Sequence, residues 1–183
     1  MKINKNKLFR SIHIYVSLFF LPLAIIYAFT GIAYICGIKD DYKAQIKTYN
    51  INTDLTQINE DNIIKILQEN NIKIPSNTTL KPNNKTGGYS MGGVHYSINI
   101  NHKNGLNIST RQNSIIGDLI LLHKNKGVWY FSILAIGFGI ALVMLYVSGL
   151  IITLLAIKKD RNKQLYTLLA GVVVTIILAY FSL

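Results

Sequence analysis

Three stretches of the chain, residues 12–38, 128–157 and 165–183, run for 27, 30 and 19 positions without a charged side chain. A helix needs about 20 apolar residues to cross a bilayer core roughly 30 Å thick. The pattern therefore predicts three transmembrane helices. They leave a basic tail (1–11), a mixed segment (39–127) and a short basic connector (158–164), and only the mixed segment has the polarity to fold in water.

Inside that segment the pattern changes twice. Asn59 is suited to cap a helix, Ile58 and Ile63 to staple its entry, and Glu60 and Asp61 to favour the positive end of its dipole. The helix should run from 60 to about 70, with Ile63, Ile64 and Leu67 as its buried stripe and Asn70-Asn71 taking the left-handed stop. Val94, Tyr96, Ile98 and Ile100 then alternate with His95, Ser97, Asn99 and Asn101, the period of a half-buried strand. Lys103-Asn104-Gly105 reads as a three-residue turn with Gly105 left-handed, which sets Ile100 against Ile108 and Ile98 against Thr110. Gly87-Gly88 and Gly92-Gly93 bracket Tyr89 and read as flexible loop; no helix follows them, so they make no phosphate cradle. The fold class expected is an α-helical membrane protein of three transmembrane helices with a small extracytoplasmic α+β module.

Charge orients this arrangement. The chain carries 19 Lys+Arg against 8 Asp+Glu, a net +11. Four cations lie in the first ten residues, and four more lie in Lys158-Lys159-Asp160-Arg161-Asn162-Lys163. Cation-rich flanks stay in the cytoplasm, so the amino terminus is expected inside and residues 39–127 outside. The chain is rich in Asn, Ile and Lys, an echo of AT-rich coding, and no basic-aromatic motif accompanies the charge; no nucleic-acid partner is expected. The first run is too long for a signal-peptide core and lacks a small-x-small cleavage site, so it reads as an anchor. Cys36 has no lipobox and reads as a small apolar residue.

Small residues four apart, Gly171/Thr175/Ala179, Ala24/Ala28 and Gly137/Ala141, suit close helix contacts in lipid. Pro22 should bend the first span, and Trp129, Tyr130, Phe131 and Tyr34 suit an aromatic belt. Among ionisable groups the four histidines are the informative minority. His13 lies just inside the first span at its cytoplasmic end, and His123 just before the second at the outer end, where intramembrane or interfacial His can be functional or can simply snorkel. His95 and His102 are expected on a solvated strand face and beside a turn. No Cys or carboxylate cluster has metal-site spacing and no nucleophile has a paired base, so no catalytic residue is identified.

The stretch FRSIHIYVSLFFLPLAIIYAFTGIAYI resembles the opening of the PepSY-associated transmembrane helix family, through His13, Tyr15 and Thr30-Gly31. LLHKNKGVWYFSILAIGFGIALVMLYVSGLIITL is similar to a later helix of that family, with Leu122-His123 before it and Ser148-Gly149 near its inner end. The mixed segment is similar to a PepSY module, a helix on a small antiparallel sheet. The resemblance implies a bacterial inner (cytoplasmic) membrane protein that binds b-type haem through membrane histidines, here His13 and His123, and reduces ferric chelates such as siderophore iron. His13 and His123 lie near opposite faces of the core and cannot clamp one iron. Each iron would need a second ligand, from a homodimer mate or a partner membrane subunit, or from a non-His group. The other reading is a non-enzymatic, bilayer-anchored binding or assembly module that docks a periplasmic protein.

Overall fold

The computed structural model describes residues 5–52, 58–84, 87–102, 105–153 and 160–183. The elements in chain order are α1 (Lys5–Ile35), β1 (Gln45–Ile51), α2 (Glu60–Glu69), β2 (Lys81–Asn83), β3 (Gly88–Gly92), β4 (Tyr96–Asn101), β5 (Leu106–Gln112), α3 (Ile115–His123), α4 (Trp129–Ile151) and α5 (Arg161–Ser182). The chain divides into two compact units, Met1–Ala24 with Leu134–Leu183, and Ile25–Ile133.

Among the described residues three helical stretches, Lys7–Ile35, Trp129–Ile151 and Arg161–Ser182, are long and apolar enough to cross a membrane. Large apolar side chains such as Phe19, Ile136 and Ile176 point outward from them. In water that surface would be unfavourable by roughly 25 cal/mol per Å², which suggests a membrane-embedded protein. The small-residue lines are used unequally. On α4, Ala141 is buried and a Cβ added at Gly137 would meet the Phe20 ring at 3.7 Å. The Phe20 and Phe138 rings lie 5.7 Å apart beside it. On α5 a Cβ at Gly171 would meet nothing within 4 Å and no residue of the helix is buried, so among the described residues the expected contact along Gly171, Thr175 and Ala179 is not made.

The unit Ile25–Ile133 contains a five-stranded antiparallel sheet in the order β1-β5-β4-β3-β2. The β4–β5 pairing has the expected register, Ile98 opposite Thr110 and Ile100 opposite Ile108, and Gly105 has φ +88°. Lys103 and Asn104 of the expected turn lie outside the described residues. A β-branched side chain at positive φ is strained, so Gly105→Val should cost about 1 kcal/mol or more. Faster amide exchange along β4 and β5 is the expected readout; unchanged exchange would refute the turn.

α2 closes the core against this sheet. The Asn59 side chain accepts a hydrogen bond from the Asn62 amide at 2.8 Å, and Ile58 packs against the core as the staple requires. The helix ends where Asn71 takes φ +53° and the amides of Asn71 and Ile72 return to the carbonyls of Gln68 and Leu67, a Schellman closure. Its buried residues are Ile63, Ile66 and Leu67; Ile64 is only half-buried, because the sheet sits on the 63/66/67 face. They meet Ile98, Ile100, Leu106, Ile108, Met91 and Ile72. The glycines around Tyr89 correct the expectation more strongly, since Gly88–Gly92 is strand β3, paired with β4 through Tyr89 opposite Ile100 and Met91 opposite Ile98. Val94 and His95 precede β4 as a bend rather than extending it.

Candidate functional site

His13 and His123 stand in separate units, each beside one hydroxyl-glycine pair. In the first unit His13 of α1 brings its Nδ1 to 2.9 Å from the Ser148 Oγ of α4. A Cβ at the adjoining Gly149 would lie 3.8 Å from the His13 Cε1, so the imidazole rests against the glycine without a side chain between them. In the second unit His123 brings its Nδ1 to 2.7 Å from the Thr30 Oγ1 of α1, and a Cβ at Gly31 would lie 3.8 Å from the His123 Cε1. Thr30 and Ser148 are 1% and 6% exposed, so both hydroxyls are buried at helix contacts. The hydroxyls also bond to their own helices: Thr30 donates to the Ile26 carbonyl at 2.7 Å and Ser148 to the Leu145 carbonyl at 3.0 Å.

His123 has a further support. Its ring stacks on Tyr27 with centroids 4.4 Å apart and planes 6° from parallel. Tyr27 and Thr30 are three positions apart on α1 and so share a face, one supporting the ring plane and the other its edge. His123 is also not part of the second apolar helix. It closes α3, a separate helix for which the sequence analysis assigned no element.

α3 owes its position to a polar seam. Ser114 caps it by accepting from the Gly117 amide at 3.2 Å while donating to the Tyr42 carbonyl at 2.6 Å. Gly117 has no room for a side chain, since a Cβ there would stand 2.6 Å from the Asp40 carbonyl oxygen. Asp40 in turn accepts from Lys124 at 2.8 Å and from Arg111 at 3.2 Å. The Lys124 hydrogen bond, against partial desolvation, holds the Asp40 carboxyl below its ordinary value, and the same contact raises Lys124. A carboxyl with a lowered folded-state pKa contributes stability that is fully present above its unfolded value and is lost as pH falls through the folded value. Asp40→Asn should therefore lower stability at neutral pH, where the carboxylate's contribution is fully present, and flatten the acid limb of the unfolding curve below about pH 4. An acid limb identical in the two proteins would refute the assignment.

The other histidines behave differently from one another. His95 is not merely solvated, because its Nδ1 contacts the Asp118 carboxylate at 2.6 Å and ties the start of β4 to α3. His102 is exposed at the end of β4. Among the described residues no group of three or more His, Cys, Asp and Glu side chains could hold a metal ion.

With Nδ1 engaged in both rings, Nε2 is the nitrogen left for coordination at each place, and among the described residues neither Nε2 has a hydrogen-bond partner. A neutral imidazole presenting Nε2 is the donor that an axial position of haem iron requires. The residues present fit one such position at each place, and among the described residues no second imidazole contacts either ring. The sequence had singled out Thr30-Gly31 and Ser148-Gly149 only as part of a family likeness; their pairing with the histidines comes from the fold, and Tyr27 was missed. Its signal was the Tyr-x-x-Thr spacing on an otherwise apolar helix. Comparison of the chain with protein-family models, curated proteins and solved structures finds no match in any of the three.

Proposed function

We propose that the chain is an inner-membrane electron-transfer protein of the PepSY-associated type, with His13 and His123 each giving one axial ligand to a b-type haem, and that it delivers electrons to ferric chelates outside the cytoplasm. The observation that carries this reading is the repeated geometry: two imidazoles, each fixed through Nδ1 by a buried hydroxyl and each backed by a glycine. Orientation of a coordinating His through its second nitrogen is how metal sites keep the ligand atom aimed. A bound haem would supply reversible one-electron transfer. The chain's own residues would hold one ligand nitrogen in each unit and tune the potential through ligand identity and burial. The second ligand to each iron would come from another subunit, a second copy of the chain being the simplest source.

The cation-rich tail and connector support an amino terminus in the cytoplasm and the sheet outside it. The edge strands β1 and β2 favour a second reading, a docking module, since among the described residues each is paired with a single neighbouring strand. Absorption spectra of the detergent-purified protein, oxidised and dithionite-reduced, decide between them. A Soret band that sharpens and shifts on reduction is the expected result. Its absence after expression with ample haem would select the docking module. A reporter fused after residue 102 should be active only outside the cytoplasm.

A further inference from the structure

We infer that Ser148 and Thr30 are tautomer locks, which hold His13 and His123 in the neutral ring form protonated on Nδ1 and so keep both Nε2 atoms bare. A hydroxyl has one proton and two lone pairs. Thr30 spends its proton on the Ile26 carbonyl at 2.7 Å and Ser148 on the Leu145 carbonyl at 3.0 Å. Each oxygen can then only accept on the side facing the histidine, at 2.7 Å and 2.9 Å from Nδ1. The proton in each contact belongs to the ring. Burial of both hydroxyls strengthens the constraint, because it shields them from bulk solvent that could take over either role. The same solution thus occurs twice, His13 of α1 with Ser148 of α4 and His123 of α3 with Thr30 of α1.

The lock is a property of the haem-free chain; the iron it serves rests on the proposed function. Nitrogen NMR on haem-free protein in micelles, above the ordinary imidazole pKa, reads it directly, with His13→Gln and His123→Gln assigning the signals. Both rings should be protonated at Nδ1 with Nε2 bare. Thr30→Val and Ser148→Ala, which remove the acceptor, should each lower the Nδ1–H population of the facing ring alone by about fivefold, the worth of one net hydrogen bond. Thr30→Ser and Ser148→Thr should restore it. Haem affinity of the apolar variants should fall about 10-fold to 100-fold. Wild-type rings protonated at Nε2, or ratios unmoved in the apolar variants, would overturn the lock. A lock present in a protein with no Soret band overturns only the haem assignment.

Discussion

Purified His123→Ala protein should hold about half of the haem bound by the wild type, and His13→Ala the other half, if each imidazole ligates its own iron. The effect is large because an axial ligand is lost outright, with no neighbouring imidazole in contact to replace it. The two losses should add, since the rings sit in different units and share no partner. His95→Ala should leave haem content unchanged, because that ring is engaged by Asp118, and so should His102→Ala. Haem per protein from pyridine haemochrome assay is the measurement. A full complement in the doubly substituted His13/His123 protein would place ligation elsewhere.

Gly92→Val should be strongly damaging to the sheet, costing about 3 kcal/mol or more through two additive causes. The residue has φ +112°, where a β-branched side chain is strained, and a Cβ there would fall 2.5 Å from the Tyr96 carbonyl oxygen and 2.8 Å from the Ser97 Cα. Both neighbours are backbone of β4, so no side chain can swing away. The strand cannot yield without breaking the Gly92–Ser97 pairing. Thermal unfolding should drop by about 10 °C or more for a module of this size. Amide exchange along β3 and β4 should rise with it. A melting point within a degree or two of wild type would refute the close approach.

That glycine also shows where reading the chain stops short. Paired glycines on either side of Tyr89-Ser90-Met91 look like loop because the sequence carries no sign of the backbone packed against them; only the partner strand turns Gly88–Gly92 into sheet. β1 was hidden for a related reason. Its QIKTYNI run alternates weakly, being an edge strand with most side chains exposed. α3 went unread because Ile115-Ile116-Gly117-Asp118 is β-branched and interrupted by glycine, poor helix signals, and the glycine is explained only by the Asp40 carbonyl packed against it. What was legible was local: the Asn59 cap, the Asn71 stop, the β4–β5 register and three long apolar runs. The histidines stood out as ionisable groups beside apolar runs. Their hydroxyl partners did not, because Ser and Thr in a lipid-facing helix look the same as packing residues until the neighbouring helix is placed.

The pairing of Gln45 with Gln112 has a last consequence, for how the chain could be taken apart. The strand entering the sheet and the strand leaving it are hydrogen-bonded neighbours, so the ends of residues 45–112 lie about 5 Å apart across the ladder. Seen from the rest of the chain the sheet is an insertion, carried on two adjacent stems like a cassette. Joining residue 44 to residue 113 through a short glycine linker would excise it with little reach to span. α1, with Tyr27 and Thr30, and α3, with His123, would keep their residues intact in the shortened chain. A cassette mounted in this way can be replaced over evolution, or in the laboratory, by another of similar stem spacing.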